Sequence, residues 1–204
     1  NLVNETELQA FFSFLLGDYS KSTQLAQTIM DWRDVDSMPR PSGAERDAYI
    51  KAEMLALPTN GPFREIEELQ NVMGMTPEIY AAASPYLTTH GTAQVNLNTA
   101  PVPVLRSLPG MTDATLNRIL QMRSQGRRIT SVEAIFPTAQ GGRRIAGQLG
   151  GQIVINQINA RATVDTRQLE LTITSRVGTQ ATPTKLIAVI ANNKPQAVVL
   201  SKQW

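Results

Sequence analysis

The chain has 204 residues, of which 42% are hydrophobic, enough to bury the core of one large domain or two small ones. It contains no cysteine, which excludes disulfide bonds, thiolate zinc sites and cysteine nucleophiles. The formal net charge of +2 conceals an asymmetry, because residues 1–100 hold 6 Lys/Arg and 13 Asp/Glu whereas residues 101–204 hold 13 Lys/Arg and 4 Asp/Glu.

No segment of this sequence is long and apolar enough to cross a bilayer. The longest nearly apolar stretch, residues 10–16, is interrupted by Ser13 and falls far short of the ~20 residues of a transmembrane helix. Since the sequence begins with Asn1 and not with Met, we expect it to be a processed or trimmed part of a longer protein, with any signal or anchor segment outside it.

The N-terminal sequence predicts a helix hairpin. Apolar residues recur there at helical spacing, namely Leu8, Phe11, Phe12, Leu15 and Leu16. Thr6 and Gln9 are spaced as a capping box, and Gly17 stands where a C-terminal cap is expected. A second helix, predicted for residues 23–32, follows within a few residues and completes the hairpin.

The next segment, residues 31–43, is predicted to be an exposed and specialised loop. It contains two prolines and alternating acidic residues, which disfavour regular structure. Together with the residues just after it, the loop supplies the carboxylates of Asp34, Asp36 and Glu45 and a number of free backbone carbonyls.

These three carboxylates are candidate ligands of a calcium ion. Ca²⁺ takes about six to eight oxygen ligands from carboxylates, carbonyls and water on a flexible backbone. A bound divalent cation would also offset the repulsion among the carboxylates and the entropy lost in ordering a long loop. The alternative is that Asp31 and Asp34 cap or salt-bridge neighbouring helices, with Arg33 and Arg40 as their partners.

Helical periodicity is also predicted for residues 44–57, and two short phrases then repeat, at residues 72–77 and 108–113. Each phrase ends one helix at a glycine and offers a threonine, Thr76 or Thr112, as the N-terminal cap of the next. These stop and start signals are typical of a helix-hairpin-helix unit. The helices predicted after the two phrases cover residues 78–83 and 114–123, and Asn98 is predicted to cap a helix with Pro101 in its first turn.

The periodicity changes after a glycine-rich stretch that includes Gly141, Gly142 and Gly147. Alternating apolar residues and β-rich runs follow: Ile153, Ile155, Leu169, Leu171, Ile173, residues 185–191 and residues 196–204. We therefore predict a small antiparallel sheet at the C-terminal end. With helices first and strands later, the predicted fold class is α+β.

The acidic loop carries a phrase that resembles a family signature. Asp31-Trp32-x-Asp34-x-Asp36, followed by Gly43-Ala44-Glu45 and Tyr49, is similar to the signature of the K-class minor pseudopilins of the bacterial type II secretion system, the GspK family. Further phrases extend the resemblance through roughly residues 1–136: Glu67-Glu68-Leu69, Val72-x-Gly74, Pro85-Tyr86-Leu87 and Asn96-Leu97-Asn98-Thr99-Ala100.

The resemblance implies a pilin-like domain with a large helical insert similar to SAM or helix-hairpin-helix modules. The insert would span residues 1–136, and residues 137–204 would hold the C-terminal strands of the pilin-like sheet. It also implies calcium in the acidic loop and an N-terminal hydrophobic helix, outside this sequence, that anchors a periplasmic domain in the inner membrane.

The function implied by the resemblance is structural and not enzymatic. Relatives are thought to sit at the tip of the pseudopilus with other minor pseudopilins, so we expect a subunit that caps or initiates it for protein export. Its expected partners are those pseudopilins, and the secreted cargo is a further candidate.

A competence-type DNA-binding module of helix-hairpin-helix units is the main alternative. Such modules hold DNA phosphates with backbone amides, and a basic patch lies near the second hairpin: Arg118, Arg123, Arg127 and Arg128. The bulk of Thr76 and Thr112 and the acidic residues that flank the hairpins argue against it, so we expect no nucleic acid partner. A hydrolase that uses His90, the sole histidine, is a remoter alternative, because no phrase marks a nucleophile.

Overall fold

The structure, a computed structural model, describes residues 1–136, 149–166, 168–175, 184–193 and 196–203. The chain divides into two compact units, Asn1–Val164 and Asp165–Trp204. The described part of the first is mostly helical, and that of the second is an antiparallel sheet, so the predicted α+β class is confirmed. None of the helices among these residues is both long and apolar enough to span a membrane.

The helices of the first unit are α1 (Glu5–Leu16), α2 (Tyr19–Arg33), α3 (Arg46–Lys51), α4 (Pro77–Ala83), α5 (Val102–Arg106), α6 (Asp113–Ser124) and α7 (Leu149–Arg161). Shorter 3₁₀ helices cover Ile66–Asn71, Ser84–Tyr86 and Val132–Ile135. Two short strands, β1 (Val95–Asn96) and β2 (Ala162–Thr163), pair in parallel.

Helices α1 and α2 form the predicted hairpin, but α1 begins earlier than predicted. The side chain of Asn4 accepts a hydrogen bond from the backbone N–H of Glu7, and the Glu7 carboxylate accepts one from the N–H of Asn4, each over 2.9 Å. The capping box predicted at Thr6 and Gln9 is therefore wrong, since Asn4 supplies the cap. The C-terminal cap at Gly17 is confirmed, with φ of 66° in the left-handed region.

An aromatic cluster under the hairpin fixes the end of α2. Trp32 is 2% exposed, stacks on Phe63 with ring centroids 6.2 Å apart, and lies 5.7 Å from the ring of Tyr49. Such rings bury large areas at little rotamer cost. The last turn of α2, from which the acidic loop departs, is thus anchored in the core. Of the helical pattern predicted for residues 44–57, only α3 forms an α-helix.

The second hydrophobic cluster surrounds α5, α6 and α7. Thr112 caps α6 and Thr76 caps α4, so both predicted N-terminal caps are confirmed. The predicted helix ends at glycine are wrong, because α5 ends at Arg106 and the 3₁₀ helix before Gly74 ends at Asn71, while Gly110 has φ of 78° in the turn that follows α5. Asn98 does not cap a helix as predicted. Its side-chain amide instead bonds to Ile129 and Val164, and Pro101 precedes α5.

The strand predicted around Ile153 and Ile155 is wrong, because helix α7 occupies that segment. Ile155 and Ile158 are buried three residues apart, the spacing of one helix face, while Ile153 is 57% exposed. The sequence predicted a division of the chain after residue 136, whereas α7 and β2 belong to the first unit.

The described sheet of the second unit has the strand order β3 (Gln168–Ser175), β4 (Thr184–Asn193) and β5 (Gln196–Gln203). Both neighbouring pairs are antiparallel, with an irregularity at Val189/Ile190. The predicted small antiparallel sheet is confirmed for these strands. The glycines of the predicted glycine-rich stretch, Gly141, Gly142 and Gly147, lie outside the described residues.

Candidate metal centre

The acidic loop brings together the three residues predicted to be metal ligands. Asp34 ends α2, Asp36 follows two residues later, and Glu45 immediately precedes α3. One carboxylate oxygen of each residue lies within 4.8 Å of one from each of the others. Two helix ends that are anchored in the core thus hold carboxylates from both sides of the loop in one place.

Glu45 is the most unusual member of this cluster. The residue is 6% exposed, and among the described residues neither of its carboxylate oxygens accepts a hydrogen bond of normal geometry, although the backbone N–H of Arg46 interacts with the carboxylate. Burial, followed by the charges of Asp31 and Asp34, raises the pKa of the Glu45 carboxyl. An unpaired buried carboxylate is costly, so this side chain requires a cation or a proton.

The other two members also offer oxygen atoms to a cation. Oδ1 of Asp34 is buried and has no hydrogen-bond donor among the described residues. Asp36 is exposed, and its Oδ1 accepts a hydrogen bond from the N–H of Met38 over 2.9 Å. Its backbone carbonyl accepts one from Nδ2 of Asn60 over 2.6 Å, which ties the loop to residues further along the chain.

The acidic loop is also held by contacts with Asp31, near the end of α2. Asp31 is fully buried, and its Oδ1 accepts a hydrogen bond from Nη1 of Arg40 over 2.5 Å. Its Oδ2 accepts one from the N–H of Arg40 over 3.1 Å. Gly43 packs so closely that a Cβ there would lie 1.9 Å from Oδ2 of Asp31, so this position requires glycine.

The salt-bridge alternative from the sequence is therefore also present. Arg40 pairs with both Asp31 and Asp34, as that alternative predicted. Arg33 instead donates hydrogen bonds to the carbonyl of Val3 and to the sulfur of Met30. The salt bridges and the carboxylate cluster coexist: Arg40 bonds to Oδ2 of Asp34, and Oδ1 has no hydrogen-bond partner among the described residues.

This donor set fits a hard divalent cation. Its three clustered carboxylates are oxygen donors, which Ca²⁺ and Mg²⁺ prefer over nitrogen or sulfur. The buried oxygens of Asp34 and Glu45, which have no hydrogen-bond partner in the described part of the chain, distinguish this cluster from an ordinary acidic surface.

The residues around His90 offer little for catalysis. His90 lies in the wall of a mainly apolar cavity of about 390 Å³, and its backbone N–H donates a hydrogen bond to Oγ1 of Thr88. No aspartate or glutamate is among the described residues that line this cavity. A carboxylate to orient the imidazole is thus missing from those walls.

One of the four arginines of the predicted basic patch, Arg123, is half-buried and binds backbone carbonyls. Arg123 donates hydrogen bonds to the carbonyl of Leu97 over 2.6 and 2.9 Å and to the carbonyl of Ala100 over 2.7 Å. Burial lowers the pKa of its guanidinium. Arg123 therefore fastens α6 to the turn before α5, a role that its place in the sequence does not reveal.

Comparison with known proteins is consistent with the acidic-loop phrase. Two family models described as "Type II secretion system (T2SS), protein K" match residues 2–92 and 95–156, which together make up most of the chain. The chain is 33% identical over 81 residues to the type II secretion system protein K of Klebsiella pneumoniae, covering 39% of this chain and 25% of that protein. It is 32% identical over 114 residues to the protein K of Dickeya chrysanthemi, covering 52% of this chain and 31% of that protein.

The fold also has a solved counterpart. A chain of the GspK-GspI-GspJ complex from the type 2 secretion system of enterotoxigenic Escherichia coli aligns with a TM-score of 0.71 and 20% identity, covering 98% of this chain and 69% of that one. The curated relatives are longer proteins, since the matched regions span only about a quarter to a third of their lengths. The resemblance inferred from the acidic loop is confirmed: the chain belongs to the type II secretion system protein K family.

Proposed function

We propose that the chain is the periplasmic part of a minor pseudopilin that caps or initiates the pseudopilus of a type II secretion system. Family membership over residues 2–156 is the observation that carries the proposal. The solved counterpart comes from a complex of three secretion proteins, GspK, GspI and GspJ. Other minor pseudopilins are therefore the partners we propose for this chain, and secreted cargo is a further candidate.

The sizes of the two units support a place at the tip. Subunits of a helical filament use one heterologous interface repeatedly, so each must leave a surface free for the next copy. The first unit holds residues 1–164 and far outweighs the three described strands of the second. We infer that the sheet is the pilin-like part, that the helical unit is an insert similar to SAM or helix-hairpin-helix modules, and that its bulk blocks further stacking.

The localisation follows from the same proposal. A hydrophobic helix encoded before this sequence would anchor the subunit in the inner membrane and leave both described units in the periplasm. Deleting the gene in the source bacterium tests the role: exported substrates should accumulate in the periplasm, and expression of the intact gene should restore export. Unchanged export in the deletion strain would contradict the role in secretion.

We further propose that calcium binds between Asp34, Asp36 and Glu45 and stabilises the fold. An ion that binds only the folded state stabilises it by RT ln(1 + [L]/Kd), or about 2.7 kcal/mol at a concentration 100-fold above Kd. Calcium would supply the positive charge that the unpaired oxygens of Asp34 and Glu45 lack. It would thereby link the end of α2 to the start of α3.

A further inference from the structure

Arg40 is a cation that the protein itself places beside the candidate calcium site. Its Nη1 lies 2.5 Å from Oδ1 of Asp31 and 2.5 Å from Oδ2 of Asp34. Side-chain exposure falls from 27% for Arg40 to 23% for Asp34 and 0% for Asp31. A single guanidinium nitrogen thus joins a carboxylate in the core to one in the acidic cluster.

The Asp34 carboxylate is divided between two environments. One oxygen, Oδ2, accepts the hydrogen bond from Arg40. The other, Oδ1, is buried without a hydrogen-bond donor among the described residues, and the carboxylate belongs to the same cluster as the equally unpaired carboxylate of Glu45. Because a carboxylate is planar and rigid, a bond that fixes Oδ2 restricts the positions open to Oδ1.

Arg40 is itself held by both helices of the N-terminal hairpin. Its backbone N–H donates to Asp31 of α2, and its Nε lies 3.4 Å from Oε2 of Glu5 of α1. Two residues on, the N–H of Ser42 donates to Oε1 of Gln27 over 2.7 Å, and Nε2 of Gln27 donates to Oε1 of Glu5 over 2.8 Å. Thus Arg40 has little freedom to follow Asp34, and Asp34 is held relative to α1 and α2.

Two physical effects of Arg40 on a bound calcium ion have opposite signs. Its positive charge repels the ion, so by charge alone its removal would strengthen binding. Its hydrogen bond fixes the orientation of a ligand, and losing such an outer contact costs roughly 10- to 100-fold in metal affinity. The direction of the change in affinity therefore distinguishes the two effects.

We infer that Arg40 is a positioning residue for the acidic site, holding Asp34 so that its free oxygen serves the bound ion. The inference rests on the proposed calcium site. Arg40 does not replace the ion, because it contacts Asp31 and Asp34 and not Glu45. Both oxygens of Glu45 remain without a hydrogen-bond partner among the described residues.

The test is calorimetric titration of calcium into the wild type and the variants Arg40→Gln and Arg40→Lys. The control is Arg46→Gln, because Arg46 follows Glu45 directly and its side chain is exposed. Both glutamine variants remove one positive charge, but only the first removes a contact with Asp34. Every titration is run below the melting temperature of the chelator-treated variant, so that only folded protein is measured.

We expect the dissociation constant to rise about 10-fold or more in Arg40→Gln, and to stay the same or fall in Arg46→Gln. Arg40→Lys keeps the charge without the planar fork and should give a smaller loss. Equal or tighter binding in Arg40→Gln would overturn the inference while leaving the calcium site intact. If Arg40→Gln does not fold, Arg40→Lys decides, and unchanged affinity there overturns it. A wild type that binds no calcium would refute the proposed metal site itself.

Discussion

Glu45 has a free-energy cost that depends on whether an ion is bound. Its two carboxylate oxygens have no hydrogen-bond partner among the residues that the structure describes, and one of them lies within 4.8 Å of an oxygen of Asp34 and of Asp36. The charge is therefore destabilising without a cation, and under the proposed calcium site it would become a ligand of the ion. A substitution that removes the charge but keeps the shape should therefore have opposite effects on stability in chelator and in saturating calcium.

Glu45→Gln should accordingly leave stability equal or higher in chelator and lower than that of the wild type in saturating calcium. The wild type should gain about 2.7 kcal/mol at 100-fold above Kd, and the variant much less. Urea denaturation with and without calcium measures both values. Asp47→Asn, which removes an exposed acid in the first turn of α3, is the control and should keep the full gain. An equal calcium gain in Glu45→Gln would remove Glu45 from the site.

The pKa of Glu45 predicts a pH dependence of stability in chelator. Burial first, and then Asp31 and Asp34, raise this pKa above the ordinary value of 4.5, so the folded chain holds the Glu45 proton more tightly than the unfolded chain does. The stability of the wild type relative to Glu45→Gln should therefore fall as the pH rises from 4.5 through the folded pKa. Melting curves of both proteins over this range measure the difference, and parallel curves would contradict the prediction.

The grouping of the three carboxylates could be predicted from sequence, but their different surroundings could not. Alternating acids in a proline-containing loop mark Asp34 and Asp36, and the family phrase adds Glu45. The burial of Glu45 and the bridge made by Arg40 depend on how α1 and α2 pack around the loop. Sequence spacing places Arg40 close to the acids but does not reveal which oxygen it occupies.

At the scale of elements, the local signals proved more reliable than the long-range ones. Gly17, Thr76 and Thr112 end or begin helices through contacts within a few residues, and the sequence shows these directly. Asn98 bonds instead to residues 31 and 66 positions away. Such a contact has no local signature, and it displaced the predicted helix cap.

Helix α7 shows how packing overrides a local pattern. Its sequence contains β-branched residues, which favour a strand over a helix, and glycines, which weaken a helix. Its buried positions nevertheless follow helical spacing, and Val154 packs against the turn at Gly110, where a Cβ would lie 3.3 Å from Val154. The contacts that settle this segment lie more than forty residues away in sequence.

A substitution at Gly43 tests how closely the acidic loop packs against α2. A Cβ at this position would meet Oδ2 of Asp31 at 1.9 Å and Cβ of Arg40 at 3.2 Å, so the loop must move away from α2. Gly43→Ala should cost about 1–3 kcal/mol, the typical cost of overpacking, and should also weaken calcium binding. Gly61→Ala is a matched control, because the nearest atom to its Cβ is the carbonyl oxygen of Thr59 at 3.7 Å. Equal stability of the two variants in urea denaturation would contradict the close packing of Gly43.

At the scale of the whole molecule, the chain contains a large, mostly helical unit and a second unit with a small sheet. In the first unit, the cavity beside His90 has no aspartate or glutamate among the described residues that line it, and the chain belongs to the type II secretion system protein K family. The proposed place at one end of a filament rests on the size of the first unit, which we expect to hinder repeated stacking. We therefore expect one copy of this chain in each complex.

The most direct measurement is the mass of the complex that forms when this chain is mixed with the soluble domains of the other minor pseudopilins from the same secretion system. Multi-angle light scattering should show one discrete complex that contains one copy of this chain, and the chain alone should not polymerise at any concentration tested. Growth of the isolated chain into filaments, several copies in each complex, or failure to associate with any of those partners would contradict the account.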